Sequence, residues 1–193
     1  MKKASAKPTI SKPRVPHTPE IVHGLRDLFL EELKEMYWSE KALLQSIPFI
    51  IEHITIEELS DALTEHLEAT KEHVVRLEAI FASMKENAKP QPCEAMAGLI
   101  KDTESFIVET TEGVVRDAAI ISSVQKIEHY EIAAYGTLRA FAKTLGELEA
   151  ASVLSDTLEE EKEADDDLSD IAESFINKEA ADQKNIHEAD CED

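Results

Sequence analysis

Six residues of this chain have side chains that hold metal ions and positions that belong to a hydrophobic core. They are Glu40, His66, Glu128, Glu131, Glu161 and Asp165. Taking about 100° per residue, Glu40 lies at the centre of the stripe Leu25, Phe29, Leu33, Met36, Leu43, Leu44 and Ile47. Glu128 falls among Ile121, Val124, Ile132 and Tyr135, with Glu131 flanking the same face. Glu161 and Asp165 line up with Leu154, Leu158, Leu168 and Ala172. His66 and Thr70 share the face of Leu63 and Leu77, with His73 at its edge, whereas Glu68 points about 200° away from His66. An unpaired buried charge costs several kcal/mol. Five carboxylates on apolar stripes that themselves hold no lysine or arginine therefore call for cations. Oxygen and imidazole donors suit iron or manganese better than ions that prefer thiolate. Inward-facing Glu, Asp and His on a four-helix bundle are the material of a dinuclear carboxylate site.

The elements that must position these residues are legible from breaks and caps. A first helix is expected from Thr18, with Thr18 as N-cap and Pro19 in the first turn, until Pro48 kinks or ends it. A second runs from about Thr55 to Asn87, and the segment Lys89-Pro90-Gln91-Pro92 ends it. A short helix follows over about Cys93 to Thr110, then a long one from about Val115 to Thr144. Gly146 marks a turn into a last helix over about Glu149 to Asn177. The short helix is long enough to carry the chain back along a bundle, so that the second and third long helices run parallel. That is the one-crossover wiring of ferritin-like folds. The predicted fold is all-α: a four-helix bundle with an extra short helix in the crossover. If the hairpins turn near His53 and Gly146, the polar core residues of each lie about 14 to 15 residues from the turn, at one level of the bundle.

At 193 residues the chain is sized for one domain. Residues 1–19 hold four of the seven prolines and several basic residues, and read as a disordered arm. The bundle is expected over 20–178 and an acidic tail over 179–193. The net charge of −21, from 41 acidic and 20 basic residues, argues against nucleic acid and anionic membrane as partners. Two cysteines without motif spacing, no apolar run long enough to span a membrane and no signal segment point to the cytoplasm. Glu20-Ile-Val-His23 is the one Glu-x-x-His of the chain, but it lies far from the proposed centre, and His187-x-x-x-Cys191 falls in the tail. In the acidic run from Asp156 to Asp170, only Glu161 and Asp165 fall on the apolar face; Glu160 lies toward solvent.

Several stretches are familiar. Asp27-Leu-Phe-Leu-Glu-Glu-Leu-Lys-Glu-Met-Tyr-Trp-Ser-Glu-Lys41, His66-Leu-Glu-Ala-Thr70, Cys93-Glu-Ala-Met-Ala-Gly-Leu-Ile100, Gln125-Lys-Ile-Glu-His-Tyr-Glu-Ile-Ala-Ala-Tyr-Gly-Thr-Leu138 and Thr157-Leu-Glu-Glu-Glu-Lys162 resemble the YciF/YciE family of ferritin-like bacterial stress proteins. The resemblance covers about residues 22–175. It implies a ferritin-like bundle, a homodimer, a bacterial stress setting and a dinuclear metal site. Rubrerythrin-like proteins of the wider group also pair two glutamates three apart on the third helix, as Glu128 and Glu131 are here. This chain departs from the group in having no Glu-x-x-His on its second or fourth helix; the family motif contains Glu68, while the wheel favours His66. The leading expectation is a protein that holds two iron ions, with manganese the alternative, and oxidises ferrous iron with O₂ or peroxide. Its competitor is a non-catalytic helical stress protein whose metal site is structural or vestigial.

Overall fold

A computed structural model describes residues 21–189, and the side chains of residues 21–183. It contains α1 (Leu25–Ile51), α2 (Glu57–Ser83), α3 (Glu94–Glu109), α4 (Val114–Leu145), α5 (Leu148–Ile171) and α6 (Asn177–Ala189), with one π-helical segment, Ala172–Ile176, between α5 and α6. No strand occurs among the described residues.

Local chemistry sets the ends. α1 begins at Leu25 rather than near Thr18, which lies outside the described residues. Gly24 occupies the N-cap, and Asp27 in the first turn accepts the His23 N–H at 3.3 Å. His23 precedes the helix and is exposed. Pro48 neither ends α1 nor stops it from reaching Ile51. Pro48 forfeits the bond its own nitrogen would have donated to Leu44 and crowds that carbonyl, yet the last turn still closes, with Glu52 N–H reaching the Pro48 carbonyl at 3.2 Å. The Cys93 Sγ caps α3 by accepting from Met96 N at 3.4 Å. Gly146, at φ 80°, closes α4: Glu147 N–H returns to Ala142 O at 2.9 Å and Gly146 N–H to Lys143 O at 3.2 Å. That paired closure needs a left-handed residue, which glycine adopts without strain. Helical backbone runs on past Glu179 to Ala189, through most of the stretch read as an acidic tail.

Side-chain contacts fix the wiring. Arg26, at the start of α1, reaches Glu86 beyond the end of α2 and Glu147 beyond the end of α4. At the opposite end, Asp117 in the first turn of α4 accepts from the N–H groups of Thr55 and Ile56, both at 3.0 Å, just before α2. α1 is thus antiparallel to both α2 and α4, and α2 and α4 run the same way. Arg76 bonds Thr157 at 3.2 Å while His73, earlier in α2, lies 3.0 Å from Glu161, later in α5, so α5 runs antiparallel to α2. α1, α2, α5 and α4 close a ring of neighbours, and α3, packed on α1 and α4, carries the chain back along the outside. One apolar cluster, including Phe29, Leu33, Phe81, Leu138 and Leu154, fills the end where α1 starts. Another, including Ile50, Leu59, Ile120, Leu168 and Ile176, fills the other end. The polar side chains lie in the layer between.

Asp117 is fully buried, and it satisfies backbone donors that the start of α2 would otherwise leave bare. Asp117→Ala is expected to lower unfolding free energy by about 2 kcal/mol, read as a shifted denaturation midpoint in urea. An unchanged midpoint would show that these bonds contribute nothing net.

Candidate metal centre

Three helices supply glutamates to the central layer and α2 supplies two histidines. Glu40, Glu128, Glu131, Glu161 and His73 are each no more than 1% exposed. The ligand-capable atoms form two groups. In one, atoms of His66, Glu128, Glu131 and Glu161 all lie within 4.8 Å of one another; in the other, atoms of Glu40, His73 and Glu161 do. Glu161 belongs to both, so one carboxylate joins two adjacent half-sites.

Within this layer the polar atoms meet without satisfying each other. Both oxygens of Glu131, both of Glu161, and one each of Glu40 and Glu128 are buried without a hydrogen-bond partner among the described residues. His73 Nδ1 sits 3.0 Å from Glu161 Oε1 and 3.5 Å from Glu40 Oε1, close but not aligned as a hydrogen bond. His66 Nε2 is 3.4 Å from Glu128 Oε1. Lone pairs that converge on a common space, rather than on one another, suit a cation in that space. Four carboxylates carry four negative charges, which two divalent ions balance if the imidazoles are neutral. No thiol belongs to either group; Cys93 lies outside the bundle layer, against Tyr130. The donor set fits two iron or manganese ions.

The electrostatics of the metal-free chain show the cost of this arrangement. Burial, then repulsion from neighbouring carboxylates, holds the Glu128 and Glu131 carboxyls well above the usual range. Burial also raises Glu40, against the opposing pull of His73. Burial lowers the His66 pKa and keeps that ring neutral, as a ligand must be. For His73 burial acts the same way, but Glu161 and Glu40 override it and push the value up to about 11. Without metal, the His73 proton is what partly compensates these acids.

The second nitrogen of His73 is also fixed. Nε2 lies 2.8 Å from Glu160 Oε2, and Arg76 grips Glu160 with two bonds of 2.6 and 2.9 Å. A ring that donates from Nε2 to this carboxylate turns the Nδ1 lone pair toward Glu161 and Glu40. Carboxylate support of a ligating histidine orients it and raises its basicity. Tyr135, buried beside the His73 ring, donates its hydroxyl to Glu40 Oε1.

Of the residues expected from sequence, Glu40, His66, Glu128, Glu131 and Glu161 come together and Asp165 does not. Asp165 shares Glu161's face, but four residues displace it about 6 Å along α5. There it takes a 3.4 Å bond from Gln125 and faces His129 at the surface. Glu68 is exposed and pairs with Lys71 at 2.6 Å. His73, placed at the edge of its stripe, is instead 1% exposed and central to one half-site. The available signal was its seven-residue spacing from His66, about 20° on a wheel. Glu160, expected on the solvent side, is only 36% exposed and supports His73.

Residues 24–181 match the model of a protein family described as a domain of unknown function, DUF892. Over 157 residues, 81% of this chain and 95% of the relative, the sequence is 40% identical to protein YciF of Escherichia coli strain K12. The chain belongs to the YciF family. The crystal structure of the E. coli stress protein YciF superposes with a TM-score of 0.77 over 81% of this chain and 99% of that one. YcfI of Rhodopseudomonas palustris, 37% identical, gives 0.75 over 76% and 94%. A Xanthomonas campestris protein, 21% identical, has the same fold with a TM-score of 0.63, covering 83% and 98%. No helix among the described residues is long and apolar enough to cross a membrane.

Glu160→Gln is expected to weaken metal binding about tenfold, by loosening His73 without removing a ligand. Competition against a chromophoric chelator measures it. Affinity equal to that of the parent chain would show that Glu160 merely closes a surface ion pair with Arg76.

Proposed function

We propose that this chain is a ferritin-like stress protein that holds two iron ions and oxidises ferrous iron with O₂ or peroxide. The observation that carries this reading is the shared position of Glu161 between two groups of otherwise unsatisfied ligands. The parallel course of α2 and α4, with α3 as the external connection, supports a ferritin-like assignment. The YciF relative, called a stress protein, supports the setting.

On this reading Glu128, Glu131 and His66 would hold one ion and Glu40 and His73 the other, with Glu161 available to both. When bound, the ferrous pair supplies electrons to the oxidant. The chain's part is to bind, orient and limit water. His66, neutral by burial, binds without adding charge. Arg76 and Glu160 hold the His73 ring in one orientation. Tyr135 keeps its proton, since burial and the nearby carboxylates raise its pKa well above the usual value, and so remains a donor to Glu40. The apolar layers on either side close the centre off from water at both ends of the bundle. A bacterial setting and a homodimer, both implied by the family resemblance, and a cytoplasmic location, read from cysteine usage, complete the proposal; sedimentation equilibrium tests the dimer.

The deciding experiment combines metal analysis of protein purified without added metal with O₂ and peroxide consumption per ferrous ion added. Two bound irons with stoichiometric oxidant consumption support the reading. Bound metal without oxidant consumption favours a structural site, and a chain that takes up no metal overturns the proposal.

A further inference from the structure

A cavity of about 200 Å³ opens between α2 and α5 and ends on the centre. Its inner wall includes His66 and Glu128. Glu128 is 1% exposed, and its Oε2 is buried without a partner. The mouth is acidic: Glu65, Glu163 and Asp167 are exposed there, with Glu160 beside them, and no lysine or arginine lines the cavity. Between mouth and floor the walls include the small side chains of Ala62, Ala69 and Ala164. Of the two histidines, His66 alone borders this space; its side chain is 10% exposed, against 1% for His73.

We infer that this cavity is the entry route by which a divalent cation reaches the centre, with Glu65, Glu163 and Asp167 gathering the ion and His66 and Glu128 receiving it first. The inference rests on the metal reading above. The lining's charge decides what passes. A cleft of one sign, walled by protein of low dielectric, concentrates the opposite ion and speeds its arrival by about tenfold or more. A mouth serving mainly O₂ or peroxide has no use for three carboxylates. Acids that were only a solvated face would not open onto an unpartnered buried glutamate. The half-site of His66 and Glu128 therefore fills first, and Glu161, shared by both, leads toward Glu40 and His73.

Cobalt(II) is the probe, because its binding is visible by absorbance. Metal-free full-length protein is mixed with cobalt(II) in a stopped-flow instrument at several salt concentrations, and the bound metal is counted at equilibrium. The triple variant Glu65→Gln, Glu163→Gln, Asp167→Asn alters exposed side chains and leaves every proposed ligand in place. It is expected to load about tenfold more slowly at low salt, with a shallower salt dependence, yet to reach the parent's stoichiometry and spectrum. Ala164→Leu, which narrows the passage without changing charge, is expected to slow loading at all salt concentrations. Parent-like rates in both variants, with full equilibrium binding, overturn the portal and leave the metal centre intact. A parent chain that binds no cobalt at equilibrium overturns both.

Discussion

Glu161→Gln is expected to cost both half-sites their metal, with apparent affinity falling by more than about 100-fold. The magnitude follows from position. Loss of an outer-shell partner alone costs about 10–100-fold, and Glu161 is the one residue whose oxygens belong to both ligand groups. An amide keeps the volume and one oxygen but removes the charge that two neighbouring cations would share. Removing an end residue such as Glu40 should instead leave the His66 half occupied. Metal per chain after dialysis, measured for Glu161→Gln, Glu40→Gln and the exposed control Glu68→Gln, tests the order. Equal retention by Glu161→Gln and Glu68→Gln would sink the shared-ligand arrangement. The empty Glu161→Gln protein is expected to be less stable than the empty parent, because buried His73 loses the nearer of the two carboxylates that hold its proton.

How the centre could be seen in the sequence depends on what a helical wheel measures. Glu40, Glu128, Glu131 and Glu161 stood out because each interrupts an apolar stripe whose phase its neighbours fix. The start of α3 and the end of α4 were similarly legible, since the break at Pro90 and Pro92 precedes one and Gly146 closes the other in the left-handed region. The wheel fails along the axis. It cannot separate Glu161 from Asp165, because it discards the rise that carries Asp165 to the level of Gln125. It also fails where a stripe is broad. On α2 the centre of the apolar residues lies near Thr70, which left His73 looking peripheral; the approach of α5 buries that flank and brings Glu161 to it. The Arg76–Glu160 support of His73 joins residues 84 apart in the chain, and no local pattern announces it. Where α1 starts was misread for another reason. Thr18-Pro19-Glu20 has the composition of a helix start, yet Val22 and His23 are not helical and Gly24 supplies the cap.

The metal-free protein is expected to lose thermal stability as pH rises from about 6.5 toward alkaline values, and bound metal is expected to abolish most of that fall. Stability falls with pH wherever the folded chain holds more protons than the unfolded one, by about 1.4 kcal/mol per proton per pH unit. Glu40, Glu128 and Glu131 have folded values raised from 4.5 by burial. Each therefore favours the folded state fully only below its unfolded value, and loses that contribution as pH climbs through the folded one. His73 acts in the same direction at higher pH: unfolded it releases its proton near 6.5, folded it holds it to about 11. His66 opposes them, because burial lowers its value, but its contribution is complete once pH exceeds 6.5. Divalent ions bound there would replace these protons, leaving the loaded chain fewer to lose. Melting temperature at a series of pH values from 6.5 to 9, with and without manganese(II), measures the difference. A metal-free melting temperature that stays flat or rises across that window, or the same slope with metal bound, would mean that these buried acids do not titrate as a cation site must.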